Sequence, residues 1–250
     1  MTRCLAGIPL ARRRETKTEE KLPQFNEAYK GHPLVLISCL DAYNFLNEHK
    51  DLCLDIKIAY LPLSLPDQYA FKDEYLSWKK YDIALVGNQE AKMKSFFEQY
   101  VEKHPEVTYV YRKNEDGEFK YFANNSDIPI GGGLRSDYFE IIRSAKVTLY
   151  ATSMLYGARE GHKNFNHVTP RFMELVGAGC HVLCRYIPNA DTEHFELDKF
   201  SPSIETYEQF EKMMDEALKT PIDKEKYTNY LQKHYTSVRA KQLEEILAKL

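Results

Sequence analysis

The chain lacks any apolar run near the ~20 residues that span a bilayer, so no membrane-crossing helix is expected. It also lacks a surplus of positive charge. Its 34 Lys and Arg stand against 37 Asp and Glu, whereas general nucleic-acid or membrane-surface binders carry a basic excess. There is no GxGxxG after an apolar strand and no GxxxxGKS/T, which removes the dinucleotide and P-loop signatures. No Ser-His-Asp or Cys-His arrangement stands out by motif. Cysteines are few and odd in number, at Cys4, Cys39, Cys53, Cys180 and Cys184. Several sit in apolar runs, so reduced buried thiols and a cytoplasmic setting are expected. Cys180, His181 and Cys184 are close enough to suggest a metal, but no second ligand pair follows, and no metal cofactor is expected. The opening stretch, MTRCLAGIPLARRRETKTEEK, lacks a secretory apolar core, and its Arg12-Arg13-Arg14 run reads as a solvated tail. Internal repeats and low-complexity tracts are absent.

What is present is a regular alternation. At 250 residues the chain is long enough for one large or two small domains. PLVLISC (33–39) and DIKIAYLPLS (55–64) read as strands flanking a helix at 41–50. Pro62, Pro66 and the turn at Leu65-Pro66-Asp67 then break the pattern and mark a boundary. Strands follow at 81–87, 107–112, 146–152 and 181–186. Between them lie an amphipathic helix at 90–104 with Met93, Phe96, Phe97, Tyr100 and Val101 on one side, a hairpin turning at Asp116-Gly117, and a helix capped by Ser136 and running to Ala145. Helices at 170–177, 207–219 and from 223 to the C-terminus complete the reading. This predicts an α/β fold, a Rossmann-like parallel sheet with helices on both faces. In such sheets ligands bind beyond the carboxyl ends of the strands. The loops after Gly87, Thr152 and Tyr186, and the loop before Pro170, therefore share one rim.

The most informative stretch is NHVTPRFMELVGAGCHVLCRY, residues 166–186. Thr169 is placed to cap a helix, and Pro170 suits its first turn. Arg171 offers a fork of donors matched to phosphate oxygens. Glu174, three residues on, shares its face and suits the two hydroxyls of a ribose. Gly177 and Gly179 permit a helix stop and close backbone approach. An ordinary Arg–Glu pair on a short surface helix accounts for the same spacing. Gly131-Gly132-Gly133 before a helix could form an anion nest, although a flexible turn fits better, and Arg135 is a weaker phosphate candidate. The loop at 153–168 carries Arg159, Glu160, His162, Lys163 and His167. Its histidines are candidates for acid–base work, with solvated side chains as the simpler account. Asp191 and Glu193 could be paired carboxylates; a capped turn explains them more simply.

Taken together, these residues resemble a known family. TPRFMELVGAGCHVL is similar to the SPR-x-FE-x-x-x-x-G region of bacterial glycosyltransferases with the GT-B fold, the CgeB-like set and its capsule and surface-polysaccharide relatives. YDIALVGNQ resembles the first strand and glycine turn of their donor-binding domain. RSAKVTLYATS resembles the strand before their long loop, and HYTSVRAKQLEEIL their C-terminal helix. The match covers roughly residues 55 to 250. It implies a donor domain at 66–222, a shortened acceptor-side α/β segment at 1–65, and C-terminal helices at 223–250. It further implies transfer of a sugar, of hexosyl type, from a nucleotide-sugar donor to a glycan or lipid-linked glycan acceptor, without a metal. By resemblance Glu174 binds the donor ribose, with Arg171 beside it, and Gly87, Thr169 and His167 belong to the donor site. Asn166 stands where many relatives carry a glutamate that touches the donor sugar. The short N-terminal part raises an alternative, a non-catalytic nucleotide-sugar-binding module that works with a partner subunit.

Overall fold

The computed structural model describes residues 22–52, 56–156 and 165–250. The Arg12–Arg14 run, Cys4, Cys53 and the loop candidates Arg159, Glu160, His162 and Lys163 lie outside the described residues. The N-terminal part contains α1 (Leu22–Tyr29), β1 (Val35–Ile37), α2 (Leu40–Glu48) and β2 (Ile58–Tyr60). β1 and β2 form a two-stranded parallel sheet. Phe25, Val35, Ile37, Ala42 and Leu46 pack into a separate small core there, joined by Phe165 from the later chain.

The larger part follows in the order β3 (Tyr81–Leu85), α3 (Ala91–Lys103), β4 (Tyr109–Glu115), β5 (Glu118–Ala123), β6 (Pro129–Gly131), α4 (Arg135–Arg143), β7 (Ala145–Ala151), α5 (Arg171–Gly177) and β8 (His181–Arg185). It ends with α6 (Ala190–His194), α7 (Tyr207–Lys219), α8 (Lys224–Leu231) and α9 (Thr236–Leu247). The sheet order is β6-β5-β4-β3-β7-β8. β4, β3, β7 and β8 are parallel, while β5 and β6 extend the β4 edge antiparallel. The expected parallel sheet is therefore the centre of a mixed one. The hairpin that adds the extension turns at Asp116 and Gly117, both at positive φ, the conformation a two-residue turn demands.

Strand residues alternate between two cores, as the two-residue side-chain period requires. Ile83, Leu85, Val147, Leu149 and Leu183 face α3 and α7. Ala84, Val86, Tyr150, Val182 and Cys184 face the opposite layer, which includes α5 and α8. Two helix starts differ from expectation. Ser136 lies inside α4, whose N-cap is Leu134, and its hydroxyl meets Asp137 Oδ1 at 3.2 Å. Thr169 does not cap α5, because Pro170 occupies that position. The Thr169 amide instead donates to the Tyr150 hydroxyl at 2.9 Å, and that hydroxyl lies 3.4 Å from Thr169 Oγ1. No helix of the described residues is long and apolar enough to cross a membrane.

α5 stops on a glycine. The Gly179 amide donates to the Val176 carbonyl at 2.9 Å, and the Cys180 amide donates to the Leu175 carbonyl at 3.2 Å. This is the Schellman pattern, with Gly179 in the left-handed region at φ +70°. A Cβ there would also lie 3.1 Å from Leu76 and from Phe71. Gly179→Ala is expected to cost about 1–2 kcal/mol from the backbone alone, read as a lower midpoint in denaturant unfolding.

The two sheets are tied together by a buried carboxylate. Asp191 accepts from the Leu40 amide at 2.8 Å and from the Val168 amide at 2.6 Å, with no solvent exposure. Asn189 supplies a capping box for α6 and donates to Asp41 at 2.7 Å. Burial outweighs both amide bonds and pushes the Asp191 carboxyl up to about 6. The folded chain therefore holds this proton more tightly than the unfolded chain does. Its contribution is most favourable below about pH 4 and is lost as pH rises through 6. Asp191→Asn mimics the protonated form. The stability of the unmodified chain relative to this variant should fall by about 2 kcal/mol between pH 4 and pH 7, measured by urea unfolding at each pH.

Candidate functional site

The strand order creates one topological switch point. From β3 the chain crosses to β4 on one side, and β7 lies on the other. Crevices form beyond the carboxyl ends of strands at such a reversal. Gly87 stands just past the end of β3 at this point, at φ +70°. A cleft of about 320 Å³ opens here, lined by Gly87, Arg112, Tyr121, Arg135, Arg171 and Glu174, together with Phe119, Tyr138, Gly133 and Leu134.

Gly87 is required twice over. Its backbone is left-handed, and a Cβ would fall 2.3 Å from Arg171 Nη2. The missing side chain is the space in which the guanidinium rests. Arg171 Nη1 donates to the Asn88 carbonyl at 3.3 Å. Arg112 Nη2 donates to Asn88 Oδ1 at 2.9 Å. Tyr156 donates to the same Asn88 carbonyl at 3.2 Å. One short turn after β3 thus aims two arginines that are 59 residues apart in sequence. The Arg112 guanidinium also stacks 4.0 Å above the Phe119 ring, across the hairpin, a favourable cation–π geometry.

Glu174 is 6 % exposed on the inner face of α5. A carboxylate so buried must be paired. Arg135 Nη2 bonds Oε1, and the Tyr138 hydroxyl donates to Oε2 at 2.8 Å. The carboxylate has about four lone-pair sites, so these two partners leave acceptor capacity towards the cleft. Arg135 rests against Phe139 and Tyr138, 4.8 and 5.0 Å from their ring centres, and keeps about half its side chain exposed. Burial and the neighbouring Glu174 both push the Tyr138 phenol well above its usual range. It remains a donor at any ordinary pH.

Sequence reasoning named Arg171, Glu174 and Gly87, and the structure brings these three into one cleft. Asn166, Thr169 and His167 do not line it. Asn166 is 3 % exposed, donates to the Ile187 carbonyl at 2.6 Å, and through its own carbonyl accepts from Asn189 at 2.7 Å. The His167 amide donates to Ser153 Oγ at 3.1 Å. Thr169 is held by Tyr150. Gly131 ends β6 and Gly132 and Gly133 lead into α4; they form no open nest, because the Gly132 amide is taken by Asp137 Oδ2 at 2.6 Å. Asp191 and Glu193 do not form a working pair, since Asp191 is consumed by Leu40 and Val168. Cys180 Sγ is directed at the Ile142 carbonyl, at 2.9 Å, and His181 Nε2 meets the Thr220 carbonyl at 2.7 Å. Sequence reasoning missed Arg112 and Tyr138 and underweighted Arg135. The alternating basic and aromatic residues of YRKNEDGEFKY and the i,i+3 step from Arg135 to Tyr138 were the available signals.

No family model matches the chain, and no curated protein sequence matches it. Solved structures match it in fold. The GtfA/B complex superimposes with a TM-score of 0.55 at 13 % identity, covering 92 % of this chain and 47 % of that one. The pneumococcal O-GlcNAc transferase GtfA in complex with UDP and GlcNAc gives 0.55 and 13 %, covering 91 % and 47 %. The chain thus spans about half the length of these structures. The likeness establishes the fold: an α/β chain with a mostly parallel, helix-flanked sheet, in the architecture of these solved structures.

Proposed function

We propose that the cleft beyond β3 holds the diphosphate and ribose of a nucleotide-sugar, and that the chain is the donor-binding part of a glycosyltransferase. The observation that carries this reading is the pairing of an arginine cluster with a buried, incompletely used carboxylate. Arg171 and Arg112, both aimed by Asn88, suit the diphosphate. Glu174, held rigid by Arg135 and Tyr138, suits two vicinal hydroxyls. Phe119, 45 % exposed, offers an aromatic side chain beside the cleft where a base can stack.

In transfer, cleavage of the bond between sugar and diphosphate leaves negative charge growing on the diphosphate. Preorganised guanidinium groups stabilise that charge without reorganising. They supply the positive charge the leaving group needs, so the scheme uses no metal. A hexosyl transfer to a glycan or lipid-linked glycan in bacterial surface polysaccharide synthesis follows the sequence resemblance, and a cytoplasmic location suits the buried thiols. The base, if one acts, belongs to the N-terminal part or the 153–168 loop.

One observation favours the non-catalytic alternative, a nucleotide-sugar-binding module working with a partner subunit. Asn166 stands where relatives carry a sugar-contacting glutamate, and it is buried in bonds to Ile187 and Asn189. The two readings share the nucleotide site and differ in turnover. Hydrolysis or transfer of a nucleotide-sugar by the purified chain supports the enzyme; binding without turnover in the presence of glycan acceptors supports the module. For either, Glu174→Ala should weaken nucleoside diphosphate binding by about 1–3 kcal/mol in titration calorimetry, and unchanged affinity with an intact fold removes Glu174 from the site.

A further inference from the structure

A second polar cluster lies away from the cleft, between the end of β2 and the C-terminal helices. It comprises Tyr60, His194, Tyr230, His234 and Arg239. Tyr230, His234 and Arg239 are 3 %, 3 % and 6 % exposed. The Tyr60 and His194 rings are 5.4 Å apart, His194 and His234 6.1 Å, and Tyr230 and His234 4.6 Å. Arg239 Nη2 lies 2.9 Å from His234 Nδ1. Within this one set, five buried polar atoms have no partner: the Tyr60 and Tyr230 hydroxyls, His194 Nε2, His234 Nε2 and Arg239 Nε. A buried donor or acceptor left unmet carries its full desolvation penalty, so this many in one place point to an occupant.

Four of the five atoms can donate. A guanidinium only donates, so His234 Nδ1 must accept from Arg239. The His234 proton then sits on Nε2, which makes that unmet atom a donor. Burial, with the Arg239 charge beside it, lowers the His234 imidazole to about 3 and so keeps the ring neutral with this tautomer. Arg239 Nε is a donor as well, and each of the two hydroxyls has a proton to give. Arg239 itself carries a buried charge. Its partners are the Lys233 carbonyl at 3.0 Å, Gln242 Oε1 at 3.1 Å and His234. No carboxylate of the described residues pairs with it. The nearby acids are engaged elsewhere: Glu196 with Lys233 and Lys199, and Asp191 with the Leu40 and Val168 amides.

We infer that this cluster of Tyr60, His194, Tyr230, His234 and Arg239 is an internal site for a small monovalent inorganic anion of the halide class. A buried cation with no counter-ion among the described residues, beside groups with protons still to give, selects an anion over water, because water would meet the donors and leave the charge uncompensated. The site bridges β2 of the N-terminal sheet and the α8–α9 segment, so occupancy ties the two parts together. It is independent of the nucleotide cleft.

The test is thermal unfolding of the full chain in sodium chloride or sodium bromide against sodium gluconate at constant ionic strength. The site predicts a saturable rise in Tm with either halide, as for any ligand that binds only the folded state. It also predicts an anomalous bromide peak in crystals within hydrogen-bond distance of Arg239 Nε or His234 Nε2. Tyr230→Phe keeps the ring and removes one donor, and it should weaken halide half-saturation at least fivefold. Equal Tm values in the three salts, a linear unsaturated dependence, an ordered water in place of bromide, or an unchanged half-saturation in Tyr230→Phe would each overturn the assignment.

Discussion

Everything at the cleft depends on one buried carboxylate. Glu174 sits beneath α4 with its charge out of water, a position tolerable only because Arg135 and Tyr138 meet it. Those two partners fix α4 against α5 at the switch point of the sheet. With α5 held, Arg171 projects from its first turn over Gly87, and the Asn88 turn gathers Arg112 to the same place. The rest of the domain supplies the frame: two apolar layers that alternate residue by residue along β3, β7 and β8, and a Schellman stop at Gly179 that returns the chain directly into β8.

The N-terminal part joins this frame through polar contacts as well as apolar ones. Asp191 accepts from one amide on each side, and Leu65 pairs with the α8–α9 segment, its amide donating to the His234 carbonyl at 2.9 Å. Tyr60, His194 and Arg239 line the same seam. Two buried charges, Asp191 and Arg239, therefore stand at the junction, one met by backbone amides and the other lacking a counter-ion among the described residues.

The sheet was readable where strands are buried on both faces. The runs YDIAL, KVTLYA and HVLCR are near-continuous in apolar residues, and glycine or proline stands close to several of their ends. The Arg171–Glu174 pair was readable because Pro170 and Gly179 bracket it. Three features were not. The antiparallel β5–β6 extension reads as a hairpin but carries no signal of which strand it joins. Arg112 and Tyr138 reach the cleft from elements 62 and 36 residues away from Glu174, a distance no local spacing spans. Thr169 looked like a cap because its own neighbourhood favours one. A tyrosine hydroxyl from β7 overrode that preference, and Pro170 took the position.

The central claim is that the cleft beyond β3 recognises a nucleoside diphosphate. Its most direct test is a thermal-shift panel of nucleosides, nucleoside diphosphates and nucleotide-sugars with the purified chain. The account predicts a saturable rise in Tm with at least one nucleoside diphosphate or nucleotide-sugar, lost in Arg171→Ala, and none with the matching nucleoside. No shift with any diphosphate, or the same shift with and without Arg171, would contradict it.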